Sequence, residues 1–297
     1  MNDYLLSVLL GVIEGLTEFL PISSTAHLRI AEALARIDLT SGYWKMYTIV
    51  IQLGAILCLP VYFHTRIRAF LATFPRGERG DRTPWTHPLG LTLAAFVVTA
   101  VPAFLLTKVI GKHLESLVIM GGALLIGGIV MWIIDAMHAR AEAGGRGAPP
   151  SRIHTWRMED MGPGQAMWIG ACQILSAVFP ETSRSMATIA AGQLAGMSRA
   201  AALEFSFFLS MPTMVVATGY DLYKSLRPGA ENPLGAGHMD PHGWVLLAIG
   251  FLVSFVVAYA SVAWFMAWVR RRGFTAFAVY RILLGSAVLA WAKHLGG

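Results

Sequence analysis

Charge is scarce in this chain. Of 297 residues, 13% are Asp, Glu, Lys or Arg, about half the share of a typical soluble domain. A water-soluble protein needs charge to cover its surface, and 56% apolar residues with a mean hydropathy of +0.58 leave too little of it. Disorder is excluded as well, because aromatics make up 11% and aliphatics are plentiful. Cysteine is nearly absent: Cys58 and Cys172 each sit in an apolar stretch without CxxC spacing, so they read as small buried hydrophobes. Lys and Arg outnumber Asp and Glu by 23 to 17. The cations lie in short loops between apolar runs rather than on one patch, which argues against a nucleic-acid partner. Met1-Asn2-Asp3 lacks a positive n-region, so no cleavable signal peptide is expected. The composition is that of a polytopic membrane protein.

A spanning helix needs roughly 20 apolar residues to cover about 30 Å of hydrocarbon. Six stretches qualify: Met46 to Phe63, Leu89 to Thr107, Leu117 to Ile134, Leu203 to Tyr220, Trp244 to Val269 and Phe274 to Ala292. Three connections are rich in arginine: Arg66, Arg68, Arg76, Arg79 and Arg82; then Arg140, Arg146, Arg152 and Arg157; then Arg270, Arg271 and Arg272. The opposite connections hold only Lys108 and Lys112, or Lys224 and Arg227. The positive-inside rule puts the arginine-rich set in the cytoplasm.

Two segments remain, 1–43 and 165–202. Parity requires the second to begin and end on the cytoplasmic side. Its apolar arms are about fifteen residues each, short for full spans, so a re-entrant helical hairpin is expected. If 1–43 is also re-entrant, each half is one hairpin plus three spanning helices, in opposite orientations. The expected fold is therefore an all-α polytopic membrane protein with an inverted-topology repeat. A single membrane domain fills 1–297, with repeat 1 at about 1–135, a cytoplasmic loop at 136–164 and repeat 2 at about 165–297. Phe19-Leu20-Pro21-Ile22-Ser23-Ser24 aligns with Val178-Phe179-Pro180-Glu181-Thr182-Ser183, which sets Glu14 against Gln173.

Ionisable groups inside a membrane are costly and functional by default. Glu14 and Glu18 stand at i and i+4 and project from one helical face. Two adjacent carboxylates repel in low dielectric, so either one is protonated or a cation sits between them. Pro21 then breaks the helix, and Ser23, Ser24, Thr25 and His27 follow. In the second hairpin Arg184, flanked by Ser183, Ser185 and Thr188, opens an apolar helix just after Pro180. Free helix N–H groups, a guanidinium and hydroxyls make an anion cradle. Pooled, these residues suit a divalent cation and a phosphate. The competing readings are hydroxyls that merely bond back to helix carbonyls, and charges that form a structural ion pair. The remaining histidines, His64, His87, His113, His138, His154, His238, His242 and His294, read as structural or interfacial.

At these residues the chain resembles the undecaprenyl-diphosphate phosphatase family of the bacitracin-resistance type. The first family motif resembles Glu14 through His27, and the second, PGxSRSxxT, resembles Pro180 through Thr188; Glu204-Phe205-Ser206-Phe207 and Tyr280-Arg281 extend the likeness along nearly the whole chain. The resemblance implies removal of the terminal phosphate of a C55 isoprenyl diphosphate, recycling the lipid carrier of cell-wall synthesis and conferring bacitracin resistance. It also implies a site open to the periplasmic side of the bacterial inner membrane, and a divalent cation, Mg²⁺ or Ca²⁺.

On this reading Glu14 and Glu18 hold the metal, with Glu181 a third candidate ligand. Arg184, Ser183, Ser185, Thr188, Ser23 and Thr25 bind the substrate. Ser24 is the candidate nucleophile and His27 its base or the acid for the leaving phosphate; a water activated by His27 is the alternative. The catalytic set is thus Ser24, His27, Glu18 and Arg184. Three family glycines are replaced, by Ala26, Glu181 and Met186. Glu181 could also pair with Arg184 or weaken turnover. The implied partners are the lipid-linked diphosphate and the bilayer, with a homodimer admitted. The rival function is a transporter or flippase for a phosphorylated lipid that uses the same groups without hydrolysis. Acid-phosphatase-type membrane enzymes are set aside, since no PSGH occurs and Lys224 to Pro228 is too short for KxxxxxxRP.

Overall fold

A computed structural model describes residues 2–38, 42–110, 116–142, 153–227 and 239–295. Lys112, His113, Arg146, Arg152 and His238 lie outside the described residues. Among the described residues eleven α-helices run in order: α1 Asp3–Thr17, α2 Ser24–Ala35, α3 Gly42–Tyr62, α4 His64–Thr73, α5 Pro88–Ile110, α6 Leu117–Glu142, α7 Pro163–Val178, α8 Arg184–Leu194, α9 Arg199–Ser225, α10 Pro241–Arg272 and α11 Thr275–Leu295. Among the described residues the only extended pairing is an isolated bridge between Thr155 and Met197.

Six helices, α3, α5, α6, α9, α10 and α11, are long and apolar enough to cross a bilayer. They are the six stretches expected, lengthened at their ends by polar residues that hydropathy alone discounts. This is a multi-pass membrane protein. The paired shorter helices differ in kind. α1 and α7 have 15 and 16 residues, about 22–24 Å at 1.5 Å per residue, less than the hydrocarbon thickness. α2 and α8 are shorter still, at 12 and 11 residues. α4 was not expected: residues 64–73 read only as an arginine-bearing loop, but Phe70 anchors them as a short helix by burying its ring.

The chain divides into two compact units, neither of which is one half of the sequence. The first comprises 1–19, 24–64 and 210–264. Its core joins Leu6 and Leu10 of α1, Met46, Tyr47 and Ile51 of α3, and Leu247 of α10. Tyr47 donates to the Ser7 carbonyl at 2.7 Å, and Ser7 Oγ to that of Leu246 at 2.8 Å. α1 meets α10 at Gly15, where an added Cβ would lie 2.6 Å from the Ser254 carbonyl oxygen. Only glycine permits that approach beside Glu14.

The second unit comprises 20–23, 65–209 and 265–297. Here α6 packs along α11 and α5 along α7. α7 begins with Pro163, which lacks the N–H that a first turn would leave unpaired. Gln165 Oε1 accepts from the Gly162 N–H at 3.0 Å and its Nε2 donates to the Ala195 carbonyl at 2.7 Å, clasping the foot of the α7–α8 pair. α8 is buried on every side from Ser185 to Gln193. Its Ala, Ser, Thr and Gly side chains are small enough to allow neighbours close on all faces.

Ser23 (φ 71°) and Ser183 (φ 69°) both take the left-handed side of the backbone map immediately before α2 and α8. The 3₁₀ turn Pro180–Thr182 puts one more residue between proline and serine in the second hairpin.

Candidate functional site

In the first unit, Glu14 lies on α1 and is 1% exposed. Glu18 follows the helix at its C-terminal cap, still in αR geometry, with its N–H on the Glu14 carbonyl at 3.0 Å. The helical i, i+4 relation between the two carboxylates is therefore present, although the helix formally ends at Thr17. Ser24 opens α2 and its Oγ donates to Glu18 Oε2 at 2.5 Å. Thr25 and His27 are half-buried on the same helix, and His27, three residues on, shares the face of Ser24. The hydroxyl expected as nucleophile is thus in direct contact with one of the carboxylates. Among the described residues no group of three His, Cys, Asp or Glu could by itself hold a metal. Glu14 and Glu18 form a two-carboxylate set, the number that commonly carries Mg²⁺ when substrate phosphates complete the shell.

In the second unit, Ser183 caps α8, accepting from the Met186 N–H at 3.5 Å. Arg184 is half-buried at the first helical position, and Ser185 is fully buried with no hydrogen-bond partner for its Oγ among the described residues. A buried hydroxyl left so at a helix N-terminus is available to an incoming anion. Thr188 is engaged elsewhere: its Oγ1 bonds back to the Arg184 carbonyl at 2.9 Å and meets Ser206 Oγ of α9 at 2.6 Å.

The turns of both hairpins meet one cation. Arg281 of α11 is 0% exposed and donates to the carbonyls of Pro21 at 3.2 Å, Glu181 at 3.2 Å and Ala123 at 3.1 Å. The guanidinium occupies the space that a Cβ on Gly127 would need, so α6 must have glycine there. Glu181 is itself buried at 2% exposure. Sequence reasoning matched Arg281 to a family position but gave it no role. The available signal was a lone cation in the middle of an apolar span.

A family model described as bacitracin resistance protein BacA matches residues 7–287. The chain belongs to that family. It is 68% identical over 294 residues to an undecaprenyl-diphosphatase of Koribacter versatilis, covering 98% of this chain and 99% of the relative. It is 41% identical to one of Rhizobium etli, covering 98% and 97%. A third undecaprenyl-diphosphatase, from Caldanaerobacter subterraneus, is 37% identical, covering 95% and 93%.

In this BacA-family chain the further sequence matches also find structural work. Glu204 of α9 accepts from Arg66 Nε at 2.8 Å, and Arg66 also bonds Glu159. Arg157 joins Glu159 at 3.1 Å. Burial alone would lower the Arg66 pKa, but the two carboxylates hold it above its ordinary value. Burial alone would raise Glu159; the Arg66 hydrogen bond and charge outweigh it and hold the carboxyl below its usual range. His87, fully buried nearby, has its pKa pushed down by burial and by the Arg82 charge. A cleft lined by Phe70, Arg82, His87 and Glu159, among others, contains none of the hairpin motif residues. Of the replaced glycines, Met186 sends its terminal carbon toward Gly127 of α6 and fills space there.

Proposed function

We propose that this protein hydrolyses undecaprenyl diphosphate to undecaprenyl phosphate and phosphate, recycling the carrier lipid for cell-wall synthesis and conferring bacitracin resistance. The observation that carries the reading is the Ser24–Glu18 hydrogen bond in the first hairpin, a hydroxyl nucleophile already joined to an acceptor for its proton. Family membership over nearly the whole chain supports the substrate.

Glu14 and Glu18 are the groups that would hold Mg²⁺ or Ca²⁺. When bound, such a cation neutralises charge on the diphosphate oxygens. Arg184 with Ser183 and Ser185 binds the phosphoryl oxygens at the α8 N-terminus and meets the charge that grows during transfer. Ser23 and Thr25 add donors beside the first turn, and Thr188 acts through Ser206 to hold α8. Ser24 Oγ forms a bond to the terminal phosphorus as its proton passes to Glu18. The bond from phosphorus to the bridging oxygen breaks, and the lipid monophosphate leaves with His27 as its acid. Water then bonds to the phosphorus as the bond to Ser24 Oγ breaks; Glu18 returns its proton to Ser24 Oγ, and the proton lost by the water restores His27. Glu181 is a third carboxylate available to the cation.

We place these hairpins in an inverted-topology repeat, each dipping into the membrane and followed by three spanning helices. The matched positive-φ serines and the sub-membrane lengths of α1 and α7 support this. By likeness to the family the site opens toward the periplasmic side of the bacterial inner membrane, and the positive-inside rule supports an orientation with the arginine-rich connections in the cytoplasm.

The test is phosphate release from undecaprenyl diphosphate by purified protein in detergent, with and without EDTA, beside Ser24→Ala and Arg184→Ala. Cation-dependent release lost in both variants supports the covalent route. Substantial turnover by Ser24→Ala would replace it with water attack. No release by the wild-type protein with Mg²⁺ or Ca²⁺ present would sink hydrolysis and leave transport.

A further inference from the structure

A second buried charge, far along the same helices from the reactive turns, has no part in the chemistry above. Asp135 of α6 is 1% exposed and accepts from five donors. Oδ1 takes Arg199 Nε at 2.7 Å and Gln193 Nε2 at 3.4 Å. Oδ2 takes the backbone N–H groups of Phe274 and Thr275 at 3.0 and 3.1 Å and the Thr275 hydroxyl at 2.9 Å. Arg199 NH2 also reaches the Asp135 carbonyl at 3.1 Å. Gly273, at φ 66°, turns the chain from α10 to α11 where a Cβ would stand 2.9 Å from Oδ2. With donors on every side, this carboxylate is matched to acceptor-only chemistry, and no neutral side chain of the same shape satisfies them all.

Four of the five donors belong to three helices, with the Phe274 N–H in the turn just before α11, and each of those helices holds part of the second hairpin's reactive end. Gln193 is near the C-terminus of α8, whose N-terminus carries Arg184 and Ser185. Arg199 is the first residue of α9, whose Ser206 bonds Thr188. Thr275 is the first residue of α11, whose Arg281 bonds the Glu181 carbonyl. From Asp135 the reach along α8, α9 and α11 is six to nine residues, about 9–14 Å. One carboxylate is therefore a common datum for three helices that meet again at the anion cradle. A slip of one residue in any of them would shift its group by about 1.5 Å.

We propose that Asp135 is a positioning residue for the phosphatase reaction: through Gln193, Arg199 and Thr275 it sets the axial register of α8, α9 and α11, and so the placement of Arg184, Ser185 and the Glu181 turn. The proposal rests on the function assigned above. It separates transition-state placement from substrate capture, so it reads in kcat rather than KM.

The experiment measures kcat and KM for undecaprenyl diphosphate in detergent for wild type, Asp135→Asn and Arg199→Lys, well below each protein's own unfolding midpoint. Asp135→Asn keeps the volume but turns a donor amide toward donors. It is expected to lower kcat at least tenfold with KM within threefold. Arg199→Lys loosens only the α9 arm and is expected to lower kcat three- to tenfold with KM unchanged. If Asp135→Asn does not fold, Arg199→Lys carries the test alone. Wild-type kcat per folded molecule in the folded variants, or a loss confined to KM, would overturn the proposal while leaving the phosphatase reading intact. Absence of release by the wild type would overturn both.

Discussion

Replacing Arg281 by methionine separates what the guanidinium does for the fold from what it does for the reaction. In the wild type it donates to three backbone carbonyls at 3.1–3.2 Å. Hydrogen bonds from a charged donor contribute about 1.5–3 kcal/mol each. Against them stands the burial of a cation with no carboxylate partner among the described residues, at 0% exposure, a penalty of several kcal/mol. The opposing effects are of similar size, and methionine retains most of the volume beside Gly127. We therefore expect Arg281→Met to change stability by no more than about 2 kcal/mol in either direction. Activity is another matter. Without the guanidinium, the turn that ends in Ser23 and the turn that contains Glu181 lose their shared anchor. A misplacement of about 1 Å at a reacting centre costs on the order of 100-fold in rate. The assay is phosphate release at saturating lipid diphosphate, alongside thermal unfolding of the same preparation in detergent. A 100-fold lower kcat with a nearly unchanged midpoint is the expected outcome. An Arg281→Met protein that keeps half of wild-type kcat would refute the anchoring role, and so would one whose activity falls only as its folded fraction falls.

Other expectations follow from packing and titration. Gly15→Ala puts a Cβ 2.6 Å from the Ser254 carbonyl; overpacking of about 1–3 kcal/mol should lower the unfolding midpoint and, by displacing Glu14, cut activity more than tenfold in phosphate release. Ser206→Ala removes the partner of Thr188 at 2.6 Å and should slow turnover without affecting KM in steady-state kinetics. Glu159 has a folded pKa below its ordinary 4.5, so its stabilisation is complete above that value and is lost as pH falls through the lowered one. Unfolding midpoints measured from pH 7 to pH 3 should therefore drop less in Glu159→Gln than in wild type. His87 has a folded pKa below 6.5 and its Nδ1 accepts from the Leu89 N–H at 3.2 Å. Its neutral form is the one the fold keeps, so stability should begin to fall as pH drops below about 6.5, a decline that His87→Gln should blunt in the same scan.

Hydropathy alone carried the six spanning helices, because a bilayer demands long apolar runs and tolerates few exceptions. The breaks between α1 and α2 and between α7 and α8 were also legible, since proline and clustered hydroxyls inside short apolar arms have no ordinary place in a span. The contact between Ser24 and Glu18 was not legible. It depends on a turn that folds one helix end back on the next, and spacing in sequence does not give that distance. Asp135 and Arg281 were hidden for a different reason. A single charge at the end or middle of an apolar run looks the same whether it faces lipid headgroups or a ring of buried donors and carbonyls. α4 was missed because its arginines outweigh its one anchoring ring. The left-handed backbone at Ser23 and Ser183 lay in φ, which letters do not record.

The Arg281 anchor has a consequence for the order in which the protein matures. Its carbonyl partners at Pro21 and Glu181 lie 260 and 100 residues earlier in the chain. At a synthesis rate of roughly 5–20 residues per second, the first turn waits on the order of 13–50 seconds for the residue that clamps it. Every nascent chain thus carries its carboxylates and hydroxyls into the membrane well before they can be locked into a working arrangement. A ribosome that stalls before α11 leaves a fragment without this anchor, and its phosphatase activity is expected to be low.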